Sequence, residues 1–110
     1  MSNRAFLDLT PGEFVNKRES GELWQLLDVR EPWEIEIASV KDCLAIPMAE
    51  VPRRIGELDL KAPIAVLCHS GFRSASIAVW LSENGADTVA NISGGIDAWA
   101  MTVDKTLSRY

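Results

Sequence analysis

The sequence predicts an α/β domain whose mainly parallel β-sheet is covered by helices on both faces. Short apolar runs alternate along the chain with segments that carry helix start and stop residues, the pattern of strand–helix–strand units. The runs at 23–29 and 62–68 are almost continuously apolar, as expected for strands buried on both faces. With 110 residues, 47% of them apolar, the chain is long enough for one domain with its own core.

The first strand is predicted at residues 6–9, and the helix after it has clear start signals. Thr10 can cap the helix, and Pro11 suits the first helical position. Glu13 follows Thr10 by three residues, so the two side chains can form a capping box. Gly21 is predicted to end this helix.

The alternation continues through the middle of the chain. A buried strand at 23–29 leads into a helix in "REPWEIEI", residues 30–37. A short strand follows at 43–48. The segment "AEVPRRIGEL", residues 49–58, is predicted to be a helix with Pro52 in its first turn.

The last part of the chain adds two strands and two helices. Strands are predicted at 62–68 and 87–93, with a helix at 71–83 between them. That helix is apolar on two sides, so it should pack on the sheet and on a second element. A last helix begins in "GGIDAWAM", residues 94–101, and the polar residues 102–110 are expected to fray.

Composition and charge exclude several classes of function. The formal net charge of −5 is wrong for a nucleic-acid surface, and no basic amphipathic run indicates a membrane surface. No apolar stretch reaches the roughly 18 residues of a membrane span, and the first residues lack a signal-peptide core. We therefore expect a cytoplasmic protein. Its two cysteines are too few for a disulfide framework, so reduced thiols are expected.

The candidate chemistry is concentrated in "VLCHSGFRS", residues 66–74. Cys68 follows a buried strand, and parallel sheets bind ligands at the carboxyl ends of their strands. Gly71 permits a tight loop, and the helix that follows directs free amides toward an anion. Arg73 adds a fixed positive charge and is expected to bind an anionic donor. We therefore expect the Cys68 sulfur to be a thiolate near neutral pH.

A thiolate in such a loop can act as a sulfur-transfer nucleophile. It would attack a sulfane donor such as thiosulfate, keep the outer sulfur as a Cys68 persulfide, and pass it to cyanide or a thiol. Loop amides would stabilise the charge on that sulfur. The adjacent Cys68 and His69 offer no four-ligand zinc set, so neither a metal nor an organic cofactor is expected. His69 is expected to supply a loop amide and a rim side chain.

Several stretches of the chain resemble the single-domain rhodanese family in order and spacing: "LLDVREPWE" at 26–34, "AIPM" at 45–48 and the region 64–99. The resemblance implies a three-layer domain over residues 1–101 with a five-stranded parallel sheet, followed by a polar tail at 102–110. It also implies that Cys68 carries the persulfide in a loop formed by His69, Ser70, Gly71, Phe72 and Arg73.

Loop length separates this chain from other enzymes of the same fold. Four residues lie between Cys68 and Arg73, whereas the related dual-specificity phosphatases and arsenate reductases carry five. The shorter loop fits a sulfur better than a tetrahedral phosphate. A phosphatase or arsenate reductase is therefore the less favoured alternative. A second alternative is a non-enzymatic module that carries sulfur for, or binds, a sulfur-relay protein.

One departure from the family pattern and several side chains leave alternatives open. Residues 38–40 read "ASV" where many relatives carry Gly-His-Ile, which affects local packing rather than the cysteine. Ser70 and Ser74 are expected mainly to cap the following helix, with hydrogen bonding to the sulfur as the alternative. Cys43 is expected to pack inertly rather than to form a disulfide with Cys68.

Asp28 and Arg30 follow the buried strand at 23–29 and are also open to two interpretations. They can form a solvated surface pair. The family resemblance instead implies a structural role near the active face. Neither residue is expected to be catalytic.

Overall fold

A computed structural model describes residues 5–110 and shows the predicted alternation of strands and helices. The five strands form one sheet in the order β1-β5-β4-β2-β3, and every neighbouring pair is parallel. The strands are β1 Leu7–Leu9, β2 Gln25–Asp28, β3 Leu44–Ala45, β4 Ile64–Leu67 and β5 Val89–Ile92. The helices are α1 Pro11–Glu19, α2 Pro32–Ile37, α3 Phe72–Glu83 and α4 Gly95–Thr102. The predicted α/β fold class is confirmed.

Two apolar cores lie on opposite faces of this sheet, because successive side chains of a strand point to opposite faces. In the central strand β4, Ile64 and Val66 enter the core under α3, as does Cys68 just beyond the strand. Ala65 and Leu67 enter the other core, where Phe14 of α1 and Trp99 of α4 pack. Helices therefore cover both faces, as predicted.

The start of α1 follows the predicted capping box closely. The Thr10 hydroxyl accepts the backbone N–H of Glu13 at 3.1 Å, and the Glu13 carboxylate accepts the N–H of Thr10 at 2.8 Å. Pro11 occupies the first turn, where its missing N–H costs no hydrogen bond. The helix ends at Glu19, and Gly21 follows with a left-handed φ of 96°.

The helix predicted at 49–58 is wrong. The segment contains two short 3-10 turns, Met48–Glu50 and Ile55–Glu57, joined by further turns. Pro52 lacks an N–H and Gly56 has low helix propensity, so a ten-residue segment with both has little to sustain an α-helix. Arg54 holds the turns together through ion pairs with Glu50 and Glu57, at 3.2 and 2.7 Å. The first turn contacts α3 and supplies the second packing partner predicted for that helix.

The polar segment after α4 makes defined contacts with the rest of the domain. Arg109 pairs with Asp97 of α4 at 2.8 Å, and the ring of Tyr110 stacks on His69 with 4.1 Å between centroids. These contacts return the segment to the carboxyl edge of the sheet. The division of the chain at residue 101 remains a prediction.

Of the helices between residues 5 and 110, none combines the length and apolar character that crossing a membrane requires.

Candidate active site at the end of the central strand

Cys68 leaves the central strand β4 at the carboxyl edge of the sheet and is fully buried. Its Sγ accepts the backbone N–H of Gly71 at 3.1 Å and lies 3.2 Å from the Ser74 hydroxyl oxygen. One predicted loop amide is thus directed at the sulfur. The strand itself is fixed on both sides, by β2 and by β5, so the position of the sulfur is set by the most constrained part of the sheet.

Gly71 makes the turn that brings its own N–H to the sulfur. Its φ is 107°, in the left-handed region that glycine adopts at little cost. A Cβ at this position would lie 3.3 Å from the backbone nitrogen of Gly94, and the Gly71 carbonyl accepts a hydrogen bond from Asn91 at 3.2 Å. Helix α3 then begins at Phe72, with Gly71 as its N-cap.

Ser74 does not cap α3, contrary to the sequence expectation. The cap position is Gly71, which leaves Ser70 and Ser74 outside the capping role. Ser74 is fully buried beside the sulfur, and its hydroxyl donates to the side-chain oxygen of Asn91. The alternative in which Ser74 contacts the sulfur is therefore the observed one. Ser70 is exposed on the rim.

The beginning of α4 fixes the loop from the other side. The N–H groups of Ile96 and Asp97 bind the carbonyls of Cys68 and His69, at 2.9 and 3.1 Å. A Cβ on Gly95 would lie 2.4 Å from both carbonyl oxygens, so the close approach of helix and loop requires glycine here. These helix amides bind loop carbonyls rather than the sulfur.

Arg73 forms a two-pronged ion pair with Glu34 of α2. Each terminal nitrogen of the guanidinium lies 2.7 Å from one carboxylate oxygen. The Glu34 side chain is only 4% exposed, whereas that of Arg73 is 34% exposed. The hydrogen bonds from Arg73 lower the pKa of Glu34 to about 2, and the carboxylate raises the pKa of Arg73. The sequence predicted an anion partner for Arg73, and this partner is part of the protein itself.

A second ion pair lies deeper, between Asp28 and Arg30. Both side chains are fully buried, with Nη2 of Arg30 2.8 Å from Oδ2 of Asp28. Arg30 also donates to the carbonyls of Ala38 and Glu34, at 2.8 and 3.2 Å. The solvated-pair interpretation is therefore wrong. The buried pair therefore ties the end of β2 to carbonyls in the middle and at the C-terminal end of α2.

Tyr110 connects the two ion pairs and covers the loop. Its hydroxyl accepts from Arg30 at 3.0 Å and donates to Glu34 at 2.9 Å. Its ring stacks on His69 at an interplanar angle of 11° and meets Trp33 edge-on, with centroids 6.1 Å apart. The His69 side chain thus lies on the rim of the loop, as expected.

Phe72 and Cys43 complete the set of predicted residues. Phe72 is 82% exposed at the tip of the loop. Cys43 is half-buried just before β3, with its Sγ 3.1 Å from the Val40 carbonyl, and burial raises the pKa of its thiol. It packs against the core on the face opposite Cys68, and both cysteines are free. Between residues 5 and 110, no group of three or more His, Cys, Asp and Glu could hold a metal ion.

Three residues of this site were not identified from the sequence: Glu34, Asn91 and Tyr110. Asn91 carried a signal, because a polar residue inside the apolar strand at 87–93 needs a buried partner. Glu34 follows Glu31 by three residues at a helix start, a spacing at which its carboxylate can accept a backbone N–H. That bond forms at 2.9 Å, but its partner Arg73 lies 39 residues away. No local pattern marks Tyr110.

Comparison with known proteins bears on both the fold and the loop. The sequence model of the rhodanese-like domain family matches residues 10–102. The Rhodanese-like/PpiC domain-containing protein 12, chloroplastic, of Arabidopsis thaliana is 40% identical over 90 residues, a match that spans 78% of this chain but only 30% of that protein. A protein named Sulfurtransferase from Allochromatium vinosum is 37% identical over 75 residues, spanning 68% of this chain and 70% of the relative.

The solved structures give the same picture. The crystal structure of a rhodanese-like domain protein from Staphylococcus aureus superposes with a TM-score of 0.82 at 27% identity. The superposition covers 96% of this chain and 99% of that one. The likeness therefore extends over nearly the whole chain.

Proposed function

The chain belongs to the family of rhodanese-like domains, and from that premise we propose that it is a sulfurtransferase whose Cys68 carries a sulfane sulfur as a persulfide. The observation that carries the proposal is the position of the Cys68 sulfur. It lies at the end of the central strand, 3.1 Å from the N–H of Gly71 and beside the buried Ser74 hydroxyl. These groups suit a sulfur that alternates between thiolate and persulfide.

The proposed reaction has two steps. The Cys68 thiolate attacks the outer sulfur of a donor such as thiosulfate, the donor S–S bond breaks, and sulfite leaves with the electron pair. An acceptor such as cyanide or a thiolate then attacks the outer sulfur of the persulfide, the new S–S bond breaks, and the Cys68 thiolate returns. Each step moves one sulfur atom and one electron pair, so no oxidant or reductant is consumed.

The residues around the sulfur have distinct parts in these steps. The N–H of Gly71 stabilises negative charge on Sγ, and the fixed turn keeps that N–H in place without reorganisation. Ser74 has one hydroxyl proton, which it gives to Asn91, so its oxygen can accept the S–H of a neutral Cys68. When the thiol ionises, the hydroxyl can turn its proton toward the sulfur instead.

The four-residue spacing between Cys68 and Arg73 favours sulfur transfer over phosphate chemistry. Efficient hydrolysis of an aryl phosphate by the protein would contradict this choice.

The deciding experiment is intact-mass analysis of the protein after thiosulfate and then after cyanide. We expect the wild type to gain one sulfur atom and to lose it again, and Cys68→Ser to gain none while remaining folded. Cys43→Ser is the matched control, since its thiol lies on the other face of the sheet, and it should behave as the wild type. Full thiosulfate:cyanide turnover by Cys68→Ser would overturn the proposal.

The same assay separates an enzyme from a carrier. If Cys68 gains sulfur from a cysteine desulfurase but not from thiosulfate, the protein is a carrier that depends on a protein donor. Gain of sulfur from thiosulfate, followed by release to cyanide, supports the enzyme.

A further inference from the structure

The positive charge expected to bind the donor is already neutralised by Glu34. Both terminal nitrogens of Arg73 donate to the Glu34 carboxylate at 2.7 Å. One oxygen of that carboxylate also accepts the Tyr110 hydroxyl at 2.9 Å, and the other accepts the N–H of Glu31 at 2.9 Å. Each carboxylate oxygen therefore accepts two hydrogen bonds, which occupies the accepting capacity of the Glu34 carboxylate.

This arrangement persists over the whole neutral range. Because Arg73 holds the pKa of Glu34 near 2, the carboxylate stays ionised wherever a thiolate is present. The Glu34 side chain is 4% exposed, so little solvent reaches the carboxylate itself. A donor that approaches the loop therefore meets a neutral ion pair rather than a free arginine.

The other arginines on this edge of the sheet are paired as well. Arg30 is fully buried against Asp28, and Arg109 pairs with Asp97 of α4. The pocket that Arg73 lines has a volume of about 620 Å³ and walls that are mainly apolar, with Met48, Ile77 and Trp80 among them. The additional charged residue on that wall is the acidic Glu31. Cys68 is not part of this lining, so the pocket can take only the part of a donor that is remote from its reacting sulfur, and its walls favour an apolar part with little negative charge.

We propose that Glu34 is a specificity-determining residue that makes the site discriminate against donors with two negative charges, such as thiosulfate, in favour of less charged sulfane donors. This inference rests on the proposed sulfur transfer through Cys68. It names the class of donor rather than a new reaction. Glu34 acts on the donor through charge and through its hold on Arg73.

Two small donors differ by one charge and test the idea directly. Thiosulfate is a dianion that releases sulfite, and methanethiosulfonate is a monoanion that releases methanesulfinate. In both cases the Cys68 thiolate attacks the terminal sulfur, the donor S–S bond breaks, and the leaving group takes the electron pair. The same persulfide is formed, so only recognition of the donor differs.

The measurement is the ratio of kcat/KM for methanethiosulfonate to that for thiosulfate. In Glu34→Gln the carboxylate charge is lost and Arg73 keeps only a neutral partner, which should favour the dianion and lower the ratio about fivefold or more. Glu36→Gln is the matched control, because it removes the same charge from an exposed residue of α2 and should leave the ratio unchanged. An unchanged ratio in Glu34→Gln would overturn the inference.

A second measurement needs no variant, in case Glu34→Gln folds poorly. The wild-type ratio is divided by the ratio for the uncatalysed reactions of the two donors with a simple thiol, which removes their difference in reactivity. We expect the quotient to exceed one by about fivefold or more. A quotient at or below one would also overturn the inference. Failure of both donors to place sulfur on wild-type Cys68 would instead overturn the proposed function, so the two failures are distinguishable.

Discussion

The two ion pairs beneath and beside the loop have similar chemistry and opposite surroundings. The Asp28–Arg30 pair is wholly buried, and Arg30 also donates hydrogen bonds to backbone carbonyls and to the Tyr110 hydroxyl. In Glu34–Arg73 the carboxylate is buried but the guanidinium is 34% exposed. The buried pair therefore stabilises the scaffold, whereas the outer pair presents its charge balance to incoming molecules.

The difference shows how one protein separates structure from recognition. Removing a partner from a buried pair leaves an uncompensated charge that water cannot reach, so the cost appears in stability. Altering a pair whose arginine meets solvent changes the field at the loop, so the effect appears in donor choice. Tyr110 contacts both pairs, and together with the hydrogen bond from Arg30 to the Glu34 carbonyl it connects them.

The strongest test of the comparison removes Arg30. We expect Arg30→Ala to lower the free energy of unfolding by about 3–5 kcal/mol, because Asp28 would be left buried and unpaired. Urea unfolding at neutral pH measures the change. Arg109→Ala is the control, since its ion pair with Asp97 has a 57% exposed arginine, so solvent screens the pair and its loss should lower the stability far less. Equal losses in the two variants would contradict the distinction between buried and exposed pairs.

Acid should weaken the ion pair between Glu34 and Arg73. The pKa of Glu34 is about 2 in the folded protein, below its ordinary value of 4.5, so the unfolded chain binds the proton more readily. The stability that Glu34 contributes is therefore fully present above pH 4.5 and is lost as the pH falls toward 2.

Urea unfolding between pH 6 and pH 3 checks the acid effect, with Glu34→Gln as the reference. The wild type should lose more stability over this range than the variant, because glutamine has no proton to gain. If the two pH profiles are parallel, Glu34 does not carry the expected linkage.

A smaller effect is expected when the link between the pairs is cut. Tyr110→Phe keeps the ring that stacks on His69 but removes the hydroxyl that Arg30 and Glu34 share. The loss should be about 1–3 kcal/mol in urea unfolding, because a buried donor of Arg30 is left unsatisfied. Tyr110→Ala should cost more, since it also removes the ring. Equal stability of Tyr110→Phe and the wild type would show that the hydroxyl does not join the two pairs.

Local patterns predicted much of the framework. The capping box of Thr10 and Glu13 forms as predicted because its partners are three residues apart. The apolar run of β4 predicted a buried strand, and its end predicted the position of Cys68. The helix predicted at 49–58 does not form, because Pro52 and Gly56 give the segment a low helix propensity, and two 3-10 turns take its place.

The candidate site was predictable only in part, because local patterns do not show which distant residues will meet. Gly71 has to turn sharply to reach the sulfur, and a glycine within the cysteine loop is visible in the sequence. Hydroxyl residues at a helix start usually cap the helix, so the sequence predicts that role for Ser74. Only the fold shows that its hydroxyl donates to Asn91. Tyr110 lies 41 positions after His69, too far for any local pattern to connect the two rings.

Patterns along the chain were enough to predict the alternation of strands and helices and the cysteine loop with its four-residue spacing, because these features depend on neighbouring residues. The tertiary structure alone decided that Arg73 is held by Glu34, that Ser74 faces the sulfur, and that Tyr110 closes the edge of the site. These contacts join residues between 6 and 80 positions apart. Their energies arise only after the sheet has brought the carboxyl ends of its strands together.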